Sequence, residues 1–272
     1  MAVPLRRFGI DFRFTLITRN PALAQRGDAA GIDRIGIDIE RLGKAARQSG
    51  LESARISEHE LSDLSRLAPA VRRAALFARL NVLHAASRPE IEAALEAGAS
   101  VLMLPYFKTA AEVEAFVGLV GGRAKVVLLL ETMPAVVRLH DILAVAGIDE
   151  VMIGLNDLHL SAGLTNRFEL IASDLLTMVS EAVRARGIGF GFGGVARARD
   201  QSLPIAADLV LAQHARLGSS SAWISRSFFN ADQDSIDVSV EIARLRDRLS
   251  FWASQPETEL LAQRDALRRL VR

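Results

Sequence analysis

The chain has no cysteine among its 272 residues. Disulfides, thiolate metal sites and cysteine nucleophiles are therefore excluded. Lysine is scarce: Lys44, Lys108 and Lys125 are the three present, so an amine nucleophile has few candidates. Neither sign of charge dominates. Thirty-three basic residues against 32 acidic ones leave a net charge of +1, too weak a field to draw in nucleic acid or an anionic membrane. Long apolar runs are missing too. Stretches such as residues 126–130 fall far below the ~20 residues of a membrane span. Arg6, Arg7, Asp11 and Arg13 interrupt the N-terminus, where a signal peptide needs an apolar core. No Pro/Ser-rich linker or low-complexity segment divides the chain. These absences predict a cytoplasmic protein of one domain.

What is present is ordinary for a globular enzyme, 50% hydrophobic and 24% charged. A short apolar run, a polar punctuator and a helical period recur along the chain. Strands are predicted over residues 12–18, 34–40, 75–80, 100–107, 125–131, 150–158, 188–195 and 222–229. Helices are predicted near 20–31, 89–97, 109–121, 134–146, 168–186, 204–217 and 235–252, on Ser/Thr/Asn caps, early Pro and terminal Gly. Strands such as VVLLL are apolar on both parities, as when both faces are buried. Strands alternating with helices predict a parallel sheet, and eight units in this length favour an α/β fold of the (β/α)₈ (TIM) barrel type over residues 8–252. An open doubly wound sheet is the alternative. Beyond Pro256, residues 257–271 form a further amphipathic helix within an extension over 253–272. The barrel does not need that helix, which makes it a candidate contact for a homo-oligomer.

In such barrels chemistry sits where strands end. Strand two ends in Asp38-Ile39-Glu40-Arg41, strand three near Arg79, strand five in Glu131-Thr132 and strand six in Leu155-Asn156-Asp157-Leu158. Glu131 and Asp157 carry the most weight. Two carboxylates on neighbouring strand ends make a hard oxygen site for Mg²⁺ or Mn²⁺, with positions left for water and substrate. The competing reading makes both of them helix caps.

The stretches ALEAGASVLMLPYFKTAAEVEAFV, VVLLLETMPAV and GIDEVMIGLNDLHLSAG, with AQRGDAAGIDRIGIDIE before them, resemble the HpcH/HpaI aldolase and citrate-lyase superfamily over residues 12–163. The LxET and GxNDL elements at this separation are the specific part. The resemblance implies a (β/α)₈ barrel that makes or breaks a carbon–carbon bond beside a 2-oxo acid, with a divalent metal (Mg²⁺, Mn²⁺ or Co²⁺) holding a pyruvate enolate. It places metal ligands at Glu131 and Asp157, the substrate-orienting guanidinium at Arg79, and substrate-carboxylate contacts at Asn156. The chemistry agrees: a cation acts as Lewis acid for the enolate, and Arg79 adds fixed positive charge.

The sequence departs from the resemblance after strand two. Aldolases of that family carry Asp-x-Glu-His there, with the histidine as base. Here Asp38 and Glu40 are kept and Arg41 stands in the histidine's place. Arginine makes a poor base, so Arg41 is read as a binder of an anionic substrate group. His84 and His59 are the candidate replacement bases. His84 is preferred because a short loop ties it to Arg79. His159 is read as a solvated strand-end residue with a metal-supporting role as the alternative, and His140 and His214 as surface or helix-packing residues. Lys125 lies at the wrong strand end, Lys44 on a solvated face, and Lys108 near a helix start. The run from Gly187 to Gly194 contains GxGxxG outside its dinucleotide context. It is read as close packing or pocket room, with Ser225-Arg226-Ser227 as donors for a phosphorylated substrate.

The function expected is a metal-dependent carbon–carbon lyase acting on a small-molecule 2-oxo acid and an aldehyde. A citrate-lyase-type acyl-CoA lyase is the alternative, and a ligand-binding barrel that has lost turnover is the third reading.

Overall fold

The computed structural model describes residues 7–44, 58–229 and 235–271. Eight parallel strands close into a barrel in chain order: β1 (Arg13–Ile17), β2 (Arg34–Asp38), β3 (Ala75–Arg79), β4 (Val101–Leu104), β5 (Lys125–Leu130), β6 (Glu150–Ile153), β7 (Gly189–Val195) and β8 (Ser221–Ile224). β8 pairs with β1 and shuts the ring. The open-sheet alternative is thereby excluded.

Apolar residues on both parities are needed because each strand faces two cores. One parity packs outward under the helices, as with Ile35, Ile37, Leu102, Leu128 and Phe190. The other fills the barrel, where Phe77, Val101, Met103, Val127, Leu129 and Met152 form a separate cluster edged by Ile17 and Trp223. The inward glycines of β7 make room for it: a Cβ at Gly191 would collide with Ser221 Oγ and the Met152 sulfur. The glycine run is thus close packing, as its lack of dinucleotide context implied.

At the N-terminal end of the barrel the plug is ionic. Glu150 takes a bidentate pair from Arg34 (3.0 and 2.8 Å), a third guanidinium contact from Arg13 (3.0 Å) and the Ser221 hydroxyl (2.8 Å). Burial raises the Glu150 pKa, but Arg34 and Arg13 outweigh it and hold it below the usual range. Sequence reading gave Glu150 no role beyond starting a strand.

Several element boundaries differ from the sequence expectation. β6 stops at Ile153 and β8 at Ile224, and helices Leu155–Ser161 and Arg226–Phe229 follow at once. A strand with both faces buried and the first turn of a buried helix are both apolar runs, which periodicity does not separate. The helix expected over 168–186 breaks at Ser173, whose hydroxyl caps Asp174–Ala185 by accepting from Leu176 N. The one expected over 134–146 is two short pieces, Met133–Val137 and Leu139–Ile142. After β2 lies a helix the sequence reading omitted, Leu61–Leu67, opened by a Glu60/Asp63 capping box. The last helix, Glu257–Val271, packs on Ala207–Arg216 and Arg167–Ala172 of its own barrel, burying Leu267 and Val271. Among the described residues no helix is long and apolar enough to cross a membrane.

His214 is fully buried between Phe192, stacked at 3.9 Å, and Phe12, edge-on at 5.2 Å, and its Nδ1 meets Ser219 Oγ at 2.9 Å. It is a packing residue, and burial pushes its pKa down to about 3. Its folded pKa lies below the unfolded value of 6.5. The neutral ring therefore contributes stability that is complete above 6.5 and is lost as the pH falls toward 3. Denaturant unfolding of the wild type at pH 7, 5.5 and 4.5 is expected to show a slope of about 1.4 kcal/mol per pH unit from this group. His214→Gln should remove that part of the slope. An unchanged slope in the variant would reject the assignment.

Candidate active site

The two-residue strand period carries polar residues to the inside of the barrel at its C-terminal end. Asp38 pairs in register with Arg79 across β2 and β3, and both continue the inward parity of Gly36 and Phe77. Glu131, two residues beyond Leu129 of the inner cluster, does the same on β5. Register therefore brings Asp38 and Arg79 together, and Glu131 shares their inward parity further along β5.

Arg79 is the centre of the arrangement. Its Nε donates to Asp38 Oδ1 (2.8 Å), a second guanidinium nitrogen donates to Asp38 Oδ2, and Nη1 lies 3.5 Å from Glu40 Oε2. Its Cζ sits 5.4 Å from the centroid of the Trp223 ring, which in turn packs edge-on against Phe77. Burial alone would lower the Arg79 pKa. Asp38, Glu40 and, less strongly, Glu131 raise it above the ordinary value. Burial likewise raises Asp38, but Arg79 and Lys44 prevail and hold its carboxyl well below the usual carboxylate range. The result is a fixed, permanently charged guanidinium facing the interior of the mouth.

Lys44 corrects the sequence reading. It is buried, not solvated, and its Nζ lies 3.3 Å from Asp38 Oδ2 and 3.1 Å from Glu40 Oε2. With its hydrogens committed to two carboxylates it is not placed to attack a carbonyl. Lys108 is exposed over the Tyr106 ring, and Lys125 pairs with Asp149 at the far end. Borohydride reduction in the presence of pyruvate is accordingly expected to leave the protein unmodified by mass spectrometry. A pyruvyl adduct on Lys44 or Lys108 would overturn this.

Glu131 and Asp157 are both buried. Gly154, at the end of β6, makes room for Glu131: a Cβ there would collide with its carboxylate. Asp157 follows three residues later in the first turn of Leu155–Ser161. Asn156, between them and the surface, is exposed and accepts from Arg167 Nη1 (3.3 Å). Among the described residues no group of three or more His, Asp or Glu side chains converges on one point. The donor set on offer is thus two hard carboxylates, which suits a divalent cation that keeps positions for water and substrate. Four carboxylates (Asp38, Glu40, Glu131, Asp157) share this end with two buried or half-buried cations, Arg79 and Lys44.

The histidines are placed as follows. His59 meets the cluster: its Nδ1 accepts the Asp38 backbone N–H (3.1 Å), and Arg41 donates to its carbonyl (3.0 Å). Burial lowers the His59 pKa, with Asp38 pulling the other way. His84 lies instead on a clip between loops. Its Nε2 is 3.5 Å from Glu90, which accepts from Asn81, while the Asn81 side-chain oxygen caps the Arg41 and Leu42 amides (2.9 and 3.1 Å). Arg41 is exposed beside this clip. His159 is buried rather than solvated, its Nδ1 donating to Leu155 O (3.0 Å) one turn back, and it stands two residues beyond Asp157. His140 is exposed. Trp223 and Lys44 are the site residues sequence reading missed. For Trp223 the signal existed, as the inward parity of β8; for Lys44 it was the i,i+4 spacing from Glu40.

An eight-stranded α/β barrel with an acid-clamped arginine and paired carboxylates at the C-terminal mouth defines an enzyme-type barrel. The HpcH/HpaI aldolase/citrate lyase family profile matches residues 14–202, and the chain belongs to that family of lyases, whose members are generally divalent-metal dependent. Among solved structures, an HpcH/HpaI aldolase from Desulfitobacterium hafniense DCB-2 is similar at 17% identity and a TM-score of 0.60, covering 80% of this chain and 88% of that one. An HpcH/HpaI aldolase/citrate lyase family protein from Burkholderia cenocepacia J2315 aligns at 17% identity and a TM-score of 0.62, covering 92% and 98%. The citrate synthase SbnG aligns at 18% identity and 0.58, covering 81% and 89%. These likenesses establish the fold. No curated protein sequence matches.

Proposed function

We propose that the protein is a divalent-metal-dependent carbon–carbon lyase that cleaves or forms the aldol adduct of a 2-oxo acid through a pyruvate-type enolate. The observation that carries this reading is the Arg79 guanidinium, clamped by Asp38 on the inward face of the barrel mouth beside Glu40. Glu131 and Asp157 would hold the cation. When bound, it would supply Lewis acidity toward the 2-oxo group. Arg79 holds the oxygen that gains negative charge, and Asp38 and Lys44 keep that guanidinium in place at no reorganisation cost during the reaction. Asn156 orients the substrate carboxylate at the mouth, and Trp223 closes the floor against water. The test is oxaloacetate decarboxylation, which generates the same enolate without an aldol base. Purified protein with Mg²⁺, Mn²⁺ or Co²⁺ should accelerate it. A barrel that only binds ligands should show none.

The proton carrier is read from the contacts of the histidines. His59 contacts Asp38, and because its Nδ1 accepts the Asp38 amide the neutral ring carries its proton on Nε2, which makes it the proton donor. Since general acid–base catalysis contributes about 10²–10⁴-fold, His59→Ala should slow aldol turnover by that range and spare decarboxylation. His84→Ala should cost less than about threefold. The reverse pattern would restore His84 as the base.

One observation favours a second reading, a citrate-lyase-type acyl-CoA lyase. Arg41, in place of the base, is an exposed cation at the mouth, suited to an anionic acyl-CoA. Release of acetyl-CoA together with glyoxylate from malyl-CoA, or with pyruvate from citramalyl-CoA, without turnover of aldehyde adducts, would establish it.

A further inference from the structure

We propose that Arg41 is a positioning residue for His59: its guanidinium holds the His59 backbone in the pose that lays the ring against Asp38. The proton-transfer role of His59 rests on the lyase reading above; the positioning itself does not.

His59 stands in an extended stretch before the helix Leu61–Leu67 and belongs to no helix or strand. From Glu60 onward the chain is fixed by the capping box of that helix, with Glu60 N donating to Asp63 Oδ2 (2.8 Å). His59 lies one residue outside it. Two bonds tie it to the rim. Its Nδ1 accepts the Asp38 N–H (3.1 Å), and its carbonyl accepts from Arg41 Nη2 (3.0 Å). A bond at the ring alone sets where the imidazole touches Asp38. A second bond, at the carbonyl, sets the direction in which Nε2 points. Both come from the ends of one turn, Asp38-Ile39-Glu40-Arg41.

Arg41 is itself held. Its amide and that of Leu42 donate to Asn81 Oδ1 (2.9 and 3.1 Å). Asn81 in turn is held by Glu90, through its Nδ2 (2.7 Å) and its own amide (3.0 Å). Asn81 lies two residues beyond Arg79 on the end of β3, and Arg79 Nε donates to Asp38 Oδ1 (2.8 Å). The contacts therefore close a circuit: Asp38 to His59, His59 to Arg41, Arg41 to Asn81, along the chain to Arg79, and back to Asp38. The guanidinium that meets the oxyanion and the ring that carries the proton are mounted on one frame. Arginine suits its place in that frame. It is always protonated and has no acceptor, so it does not compete with His59 for the proton. Its bond to the neutral carbonyl is charge-assisted.

The charges around His59 come from several elements. Asp38 at the end of β2 and Asp63 in Leu61–Leu67 raise its pKa. Arg19, which follows β1 and pairs with Glu58 at 3.5 Å, lowers it, as does Arg41. Burial, the largest influence, also lowers it, and the balance lies below the ordinary 6.5. Loss of Arg41 removes one cation and loosens a half-buried ring. Both changes raise the pKa.

Nitrogen-15 NMR of the histidine-labelled full chain reads the ring without turnover. The His59 signals are those missing from His59→Ala. Wild type should show Nδ1 bare and Nε2 protonated, with a midpoint below 6.5. Arg41→Ala should mix the two tautomers and move the midpoint upward, and Arg41→Lys should restore the wild-type tautomer. Arg41 is exposed, so both variants should fold, which melting curves check. Unchanged His59 signals in Arg41→Ala overturn the proposal. A raised midpoint with the tautomer kept also overturns it, since Arg41 would then act by charge alone. The second arm is a double-mutant cycle on condensation of pyruvate with uncharged propanal. Misplacement of a reacting group by about 1 Å costs up to about 10²-fold, so kcat should fall about 10–10²-fold in Arg41→Ala with KM little changed. Added to His59→Ala, the same substitution should cost nothing further. Additive losses, or a loss confined to KM for a CoA thioester, would make Arg41 a substrate contact and overturn the proposal. If the NMR changes appear but neither aldol turnover nor oxaloacetate decarboxylation occurs, the lyase reading falls and the positioning stands.

Discussion

Replacing Arg79 with lysine is expected to slow oxaloacetate decarboxylation about 10²–10³-fold, the cost of removing one aligned oxyanion donor. The charge survives the substitution; the geometry does not. An ammonium cannot make two parallel bonds to Asp38 while presenting further donors inward. KM should change less than kcat, because the developing oxyanion, not the ground state, is what the guanidinium meets. Arg79→Ala should be worse in a second way. It leaves Asp38 and Glu40 buried without the guanidinium that pairs with both. Breaking a buried pair by removing one partner costs about 3–5 kcal/mol. A lower melting temperature is therefore expected for Arg79→Ala and a near-native one for Arg79→Lys. Wild-type rates in Arg79→Lys would show that the arginine serves only to bridge β2 and β3.

The second large effect concerns the carboxylate pair. Exhaustive chelation should abolish decarboxylation, and Mg²⁺, Mn²⁺ or Co²⁺ should restore it. Lewis-acid stabilisation is worth several kcal/mol, so Glu131→Gln and Asp157→Asn should each lose about 10³-fold or more. Both substitutions keep shape while removing charge. Mn²⁺ binding followed by paramagnetic resonance should fail in both variants, independently of any rate. Full activity after chelation, or Mn²⁺ binding that ignores both substitutions, would reject the pair as ligands. Loss of activity together with collapse of the fold would point instead to a capping role for Asp157, which lies in the first turn of Leu155–Ser161.

Much of this site can be read from the sequence because a barrel turns position into geometry. Each strand ends at the same rim, and a two-residue period decides what faces inward. Asp38 and Arg79 follow from those two rules and pair as the rules require, and Glu131 shares their inward parity. The number of strands and their parallel order follow from the alternation of short apolar runs with capped helical periods. The strand lengths do not, since Asn156 and Asp157 read as strand but lie on a helix. A residue buried by neighbouring elements is apolar whether its own backbone is extended or helical.

The tertiary structure decided whatever depends on loops folding over the rim. Lys44 looks like a surface lysine until the segment after β2 turns it back between Asp38 and Glu40. His59 lies 21 residues beyond Asp38 along the chain, yet its ring meets the Asp38 amide, while His84, close to Arg79 in sequence, is carried to Glu90 and Asn81. Sequence distance ranks such pairs wrongly because loop closure costs little more for a long loop than for a short one, whereas an unpaired buried charge or amide costs far more. The sequence by itself determined the barrel, its inward polar rim and the likeness to one lyase family. Only the folded chain decided which histidine meets that rim and that the Trp223 ring lies against the Arg79 guanidinium.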